Sequence, residues 1–421
     1  MTGGAPAAET FGQQPGGDEL PLRVSTLQIF FDLVFAFTLT QLTSVLATRL
    51  SWLAILQVLL VFGLLWWMYG AYAWLTNARP PVHTVERLLL LVGMAGFLVV
   101  GLAIPRGFAG YGYVIGLGYL VVVLVHSALY YRVNANILRV APFNICSALL
   151  VTIAGLLETP GGSDRPAAYL LWFLALVVQL GSPLIVRPAS FFELRPAHFT
   201  ERHSALLIVA IGESVAAIGI GAAGPVSAGR VSWGLLGGAV LGLVVAAALW
   251  WIVFGSGDDE RAGQVLSAAT SRRRTQLALG ALFYGNIPLL LGLVALAAGI
   301  LRAVLEAAGH AGAGPRTAQA AVLAVGAALF LAGDVVIRRV LRTGPTRLRI
   351  AAAAAALATT AAGATLGLEA QLLLVAAVLI GPLIVERQVP GGQAIGGPPS
   401  GPPPGPVTGG RSEPASADAA G

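Results

Sequence analysis

The chain has 421 residues, of which 57% are hydrophobic and only 10% charged, with a mean hydropathy of +0.81. Soluble domains are roughly half apolar and a quarter charged, so the composition excludes an ordinary water-soluble fold and makes lipid the solvent. The formal charge of +6 rests on 25 basic residues, all arginine; alongside so much Ala and Gly this is a genomic bias, and the pI near 9.9 is no argument for nucleic acid as a partner.

Residues 1–22 read as an N-terminal tail without the basic segment and short apolar core of a cleaved signal peptide. A transmembrane helix needs about 20 mostly apolar residues. Twelve such runs follow, at about 25–47, 52–75, 87–104, 110–131, 138–157, 168–186, 203–222, 231–254, 277–300, 318–337, 348–367 and 369–386. "NARPP" (77–81), "TPGGSDRP" (159–166), "GSGDDERAG" (255–263) and "RTGPTR" (342–347) punctuate them. The fold class expected is all-α, a polytopic membrane bundle of about twelve helices. Residues 388–421, rich in Pro and Gly, form a low-complexity cytoplasmic tail expected to be disordered.

Basic residues accumulate on cytoplasmic loops. With twelve spans, 19 arginines fall on the N-terminus, the even-numbered loops and the C-terminus, against six on the odd-numbered loops. The expected location is therefore the cytoplasmic (inner) membrane with both termini cytoplasmic. An internal repeat is also expected. "RVSTLQIFFD" (23–32) opens span 1 and "RHSALLIVAIGE" (202–213) opens span 7, while Trp pairs recur in "LLWWMYG" and "ALWWIVFG". This pattern suggests two parallel six-helix halves, 23–190 and 191–387.

Acidic residues inside such runs are expensive and must face protein or water. Asp32 lies nine residues past Arg23 and Glu213 eleven past Arg202. If both arginines mark the membrane surface, the two acids share one slab of the bilayer, with Arg202 and His198 at its cytoplasmic mouth. On a helical wheel Ser25, Gln28, Asp32 and Thr43 form one polar stripe. Two readings follow: a protonation or cation site in a polar cavity, or hydrogen bonds that only specify packing.

Elsewhere, Asp334 stands four residues before Arg338, the spacing of an intrahelical ion pair. Asn144, Gln179, Asn286 and His126 are candidates for interhelical hydrogen bonds, Pro288 for a kink in span 9, and Gly234, Gly238 and Gly242 for a close helix crossing. Cys146, the only cysteine, excludes an intrachain disulfide and is expected to be a small buried hydrophobe. "GESVA" (212–216) lacks the final glycine of a nucleophile elbow. No phosphate loop, metal-ligand cluster, dinucleotide fingerprint or nucleophile–base constellation is present, so neither an enzyme nor a cofactor is expected.

"RVSTLQIFFDLVFAFTLTQL" (23–42), "HFTERHSALLIVAIGESVAAI" (198–218), "ALWWIVF" (248–254) and "YGNIPLLLG" (284–292) resemble the bacterial low temperature requirement A (LtrA) family of polytopic membrane proteins, in order through roughly residues 22–387. His203, Ser204 and Asn286 depart from that pattern. The family name records a cold-growth phenotype and implies no biochemistry; the resemblance implies importance for Asp32, Glu201, Arg202, Glu213 and Ser214. "FFDLVFAFTLT" is also similar to the first-helix signature of a potassium-channel family, with Phe31 in place of its serine.

The function expected is a transporter or permease for an unknown small solute or ion, coupled to protons or cations through Asp32 and Glu213, with Gln28, Ser214, Arg202, His198 and Glu201 around them. The alternatives are a non-transporting protein that supports lipid or envelope homeostasis, and an ion channel.

Overall fold

The computed structural model describes residues 24–133, 137–158, 166–186, 194–229, 231–255, 257–310 and 315–388. The tail expected at 1–22 and the chain beyond Gln388 lie outside the described residues. Among those described, every regular element is a helix. In chain order they are α1 (Thr26–Thr48), α2 (Trp52–Ala78), α3 (Thr84–Ala103), α4 (Gly112–Tyr131), α5 (Ile137–Leu157), α6 (Pro166–Ile185), α7 (Pro196–Ser227), α8 (Trp233–Phe254), α9 (Asp258–Ala268), α10 (Ser271–Ala278), α11 (Asn286–Ala307), α12 (Arg316–Leu341), α13 (Arg347–Leu366) and α14 (Leu368–Gln388).

Eleven helical stretches among the described residues are long and apolar enough to cross a membrane. One of them, Thr84–Tyr131, has 48 residues and would measure about 72 Å if straight, more than twice a hydrocarbon core of about 30 Å. It folds back at Ala109 and Gly110, where Gly110 takes φ 98°. The Gly93 position then faces Val125, and Gly96 faces Gly118 and Val122. Partner numbers that fall as the others rise define an antiparallel hairpin, so α3 and α4 are separate helices of 20 residues each and the described residues hold twelve helices of membrane-crossing length.

Serine caps start three of the helices. Ser25 accepts the Gln28 amide at 3.3 Å while Gln28 returns its side chain to the Ser25 amide at 3.0 Å, a reciprocal capping box. Ser51 and Ser232 cap α2 and α8. At those same starts Trp52 and Trp233 are almost fully exposed, the placement expected of interfacial anchors. Outward-facing Leu, Ile, Val and Phe cover the flanks, such as Phe30, Leu33, Leu243 and Leu374. A hydrophobe that faces lipid is as well solvated as one in the core. Cys146 is likewise exposed on α5, which corrects the expectation of burial.

Helix α11 is the hub, enclosed by α1, α7, α8, α12 and α14. Its approach to the bilayer is irregular. Residues Leu279–Tyr284 form a π-helical turn, closed by the Gly285 amide on the Gly280 carbonyl at 3.1 Å. Pro288 has no N–H for the Tyr284 carbonyl, and the wider turn absorbs that missing bond. The expected distortion of span 9 thus takes the form of a π turn just before the proline.

The glycines Gly234, Gly238 and Gly242 do bring α8 close to its neighbours. A methyl group on Gly234 would stand 2.8 Å from the Ala307 carbonyl, and Gly242 abuts Ile300 and Ile218. The closest glycine contacts between α11 and α12 were not anticipated from the sequence. There a methyl on Gly326 would lie 2.6 Å from the Leu296 nitrogen, and one on Gly292 2.5 Å from the Phe330 nitrogen. Gly237 faces open space. Gly326→Ala is therefore expected to destabilise by about 1–3 kcal/mol through overpacking. Gly237→Ala should stabilise by about 0.5–1 kcal/mol through backbone entropy. Unfolding of the purified variants in detergent checks the pair, and equal shifts would show that α11 and α12 do not meet at backbone distance.

Candidate functional site

The "FFDLVF" stretch divides its side chains between two environments. Phe30 and Leu33 face outward, whereas Phe31, Asp32 and Phe35 are buried. Phe31 packs on Tyr72 at 5.0 Å and Phe97 at 5.4 Å, and Phe35 on Tyr69 at 4.5 Å. Asp32 therefore sits in an aromatic wall with no exposed surface. Its partner is Arg202 of α7, 1% exposed, whose Nη2 donates to Asp32 Oδ1 at 3.3 Å and whose Nε donates to the same oxygen at 3.4 Å.

The guanidinium lies over the rings of Phe31 at 5.4 Å and Tyr69 at 5.6 Å, a cation–π arrangement. Its Nη1 donates to the Thr76 hydroxyl. The Tyr69 hydroxyl lies against both charges without a well-aligned bond to either, and Asp32 Oδ2 likewise lacks one. His203, the next residue of α7, stands edge-on to Tyr69 and donates from Nδ1 to the Phe199 carbonyl at 2.8 Å.

One turn nearer the membrane surface the network continues. Gln28 Nε2 donates to the Thr76 carbonyl at 3.4 Å, and Gln28 Oε1 is 3.1 Å from His198 Nε2. His198 Nδ1 faces Asn77 Nδ2 at 3.2 Å, while Asn77 exchanges two hydrogen bonds of 3.0 Å with the Arg195 backbone. Gln28 offers an oxygen and Asn77 an amide, so the histidine carries its proton on Nε2. Glu201 is exposed and accepts the Val24 amide at 3.3 Å, holding the chain just before α1.

A narrow cleft touches this network from the side. It has a volume of about 20 Å³, is lined by Thr76, Leu90, Leu129 and Val133 among others, and lies beside an Arg79–Glu86 ion pair of 3.1 Å. Room of that size suits about one water molecule. Thr76 is thus both a wall of the cleft and the acceptor of an Arg202 hydrogen bond.

Farther along the same two helices, Thr40 of α1 donates to Glu213 Oε2 at 2.6 Å. Among the described residues Glu213 Oε1 has no hydrogen-bond partner, nor does the adjacent buried Ser214 hydroxyl. No cation pairs with Glu213 among the described residues. Thr43, the last member of the α1 stripe, reaches the Val294 carbonyl of α11 at 3.5 Å.

The contacts 28 with 198, 32 with 202 and 40 with 213 rise together, so α1 and α7 pack in parallel. They also correct the expected depths. Arg202 is not at the mouth but level with Asp32, and Glu213 is eleven residues farther along α7, about 16 Å deeper. The two acids therefore do not share a slab. Helix α7 begins at Pro196, six residues before Arg202, just as α1 begins at Thr26, six residues before Asp32.

The other candidates divide as well. Asn144 accepts from Trp67 at 3.2 Å and from Gln179 at 3.4 Å, as expected of interhelical bonds. Asn286 instead donates within its own helix, to the Leu282 carbonyl at 2.8 Å. His126 packs between the rings of Tyr72 and Tyr130. Asp334 does pair with Arg338, at 3.1 Å, and belongs to a larger cluster with Asp258, Arg349 and Glu386.

Sequence reading missed Tyr69, Thr76 and Thr40. Thr76 and Tyr69 lie in the last three turns of α2, inside a run rich in aromatics, where a lone hydroxyl gives little signal.

Among proteins of known sequence, an uncharacterized protein of Rhizobium meliloti (strain 1021) is 26% identical over 288 residues, covering 66% of this chain and 68% of the relative. The family described as "Bacterial low temperature requirement A protein (LtrA)" matches residues 23–384. The match takes in α1, α7 and every side chain of the buried network, and the chain belongs to the LtrA family.

Proposed function

We propose that this integral membrane protein is a transporter or permease of the bacterial cytoplasmic membrane, moving a small solute or ion with protons or cations as the coupled species. The observation that carries the reading is Glu213. It is a buried carboxylate in the bundle interior with one oxygen on a threonine hydroxyl and, among the described residues, no partner for the other and no counter-ion. Such a group is costly in a membrane unless it takes up a proton or a cation. Exchange of that species is the chemistry an ion-coupled carrier requires.

Asp32 and Arg202 take a different part in this proposal. Their closed, mutually neutralising pair positions α1 against α7 and α2, and Gln28, His198 and Glu201 extend that brace toward the surface. Ser214, one residue from Glu213, supplies a hydroxyl to the exchange site. The reading needs no enzyme chemistry, no cofactor and no nucleic acid; its partners are the bilayer and the carried solute. Proteoliposomes holding a pH-sensitive dye test it, with wild-type protein dissipating an imposed proton, Na⁺ or K⁺ gradient faster than empty vesicles.

Both ends of the helical bundle are proposed to face the cytoplasm. The excess of arginine on one set of loops supports this, together with twelve crossings, which return the chain to its starting side. Reporter fusions after the α1–α2, α2–α3, α7–α8 and α8–α9 connections are expected to alternate between outside and inside. Two successive fusions on one side would remove a crossing and invert the remainder.

A further inference from the structure

The connection between α12 and α13 carries a recess that the buried network does not use. Its volume is about 600 Å³, and it is open to the surface. Its lining includes Arg339, Arg342, Thr343, Thr346 and Arg347. With twelve crossings it lies on the membrane face where α1 begins, and the Arg349–Glu386 ion pair of 2.8 Å ties it to the far end of α14.

The acidic residues of the neighbourhood are already engaged. Asp258 and Asp334 hold Arg338 at 2.6 and 3.1 Å, and Glu386 holds Arg349 at 2.8 Å. Arg339, Arg342 and Arg347 are exposed and form no ion pair among the described residues. The recess therefore has a surplus of three fixed positive charges in forked guanidinium form, the geometry suited to phosphate oxygens.

A separate observation points to a ligand. Thr343 is only 8% exposed, lines the recess, and its hydroxyl has no hydrogen-bond partner among the described residues. A buried hydroxyl without a partner is uncommon in a finished fold. Arg342 just before it is the one described non-glycine residue with positive φ, at 58°. Beyond it, α13 starts without a side-chain cap, so its first amides add their dipole to the same face.

Depth decides what lies nearby. Val336 and Ile350, less than one turn from Arg339 and Arg347, are exposed apolar residues. In a bilayer such residues meet lipid tails, which would set the recess at the level of the headgroup phosphates. We propose that it binds a phosphate group through Arg339, Arg342, Arg347 and the Thr343 hydroxyl. The group comes from an anionic phospholipid headgroup or from a soluble phosphate ester, since the donor set answers to the same oxygens in either.

Delipidated full-length protein in a neutral maltoside detergent provides the test. Native mass spectrometry would follow the binding of phosphatidylglycerol, phosphatidylcholine, glycerol 3-phosphate and inorganic phosphate. Wild-type protein is expected to bind phosphatidylglycerol about tenfold more tightly than the double variant Arg342→Gln/Arg347→Gln. Phosphatidylcholine, with its own cation beside the phosphate, should show little difference between the two.

Competition by glycerol 3-phosphate or inorganic phosphate at millimolar concentration would identify a soluble ligand. Competition by phosphatidylglycerol alone would identify the lipid. Thr343→Val changes no charge and carries the test if the double variant does not fold. It is expected to weaken whichever of the two phosphates binds by about threefold, the loss of one hydrogen bond. Equal binding of every probe by wild type and the folded variants overturns the proposal.

Discussion

Arg202→Met is expected to lower the unfolding free energy by about 3–5 kcal/mol, the usual cost of stranding one member of a buried ion pair. Asp32 has no exposed surface, and among the described residues its only cation is Arg202. Without that cation the carboxylate keeps a charge among Phe31, Phe35 and Tyr69, or takes a proton and loses two of its hydrogen bonds. Thr76 also loses the donor on its hydroxyl.

Asp32→Asn makes the converse error, because it leaves the guanidinium buried with neutral partners only. The double variant Asp32→Leu/Arg202→Met replaces both charges by apolar volume and should recover most of the loss, since a buried pair and a well-packed apolar substitute are often close in stability. Unfolding midpoints in detergent for Asp32→Leu, Arg202→Met and the double variant complete a double-mutant cycle. Strictly additive losses would mean that the two side chains do not depend on each other, and the brace between α1 and α7 would have to be assigned elsewhere.

The spans were legible because lipid imposes a simple rule, about 20 apolar residues between polar breaks. The α3–α4 turn and the single-glycine turn at Gly367, φ 107°, both fall where the apolar runs break. The polar stripe of α1 was legible for the same reason, since few polar residues survive in such runs. Pairings were a different matter.

Arg202 looks like a surface arginine when the seventh span is started at the apolar run, but the helix starts at Pro196, level with Thr26 of α1. The polar segment "RPAHFTERHS" already suggests an early helix start, and its helical turns set Arg202 level with Asp32 and Glu213 deeper. Asn286 was misread because the π turn before Pro288 offers it a carbonyl in its own helix, a local defect that hydropathy does not register. Cys146 was misread by a rule for water-soluble folds, in which burial and apolarity go together. In a bilayer the outer surface is apolar as well.

The parting of the two acids sets up the last expectation. Glu213→Gln should fold as wild type, with stability changed by no more than about 1 kcal/mol, because the amide oxygen still accepts the Thr40 hydroxyl. It cannot take up a proton at any ordinary pH or hold a cation by charge. If Glu213 is the exchanging group, the variant in proteoliposomes dissipates the coupled ion gradient at a rate close to that of empty vesicles.

Thr40→Val provides the intermediate case. It removes the hydroxyl but keeps the carboxylate, so flux should persist with a changed pH dependence. Asp32→Asn, by contrast, is expected to lose flux only in proportion to the folded protein it loses, because the Asp32–Arg202 pair supports the bundle. Wild-type flux from folded Glu213→Gln would remove the carboxylate from the mechanism. Absence of flux in wild-type protein for protons, Na⁺ and K⁺ alike would favour the alternative in which the buried polar groups serve packing, and the protein acts on the membrane without carrying an ion through it.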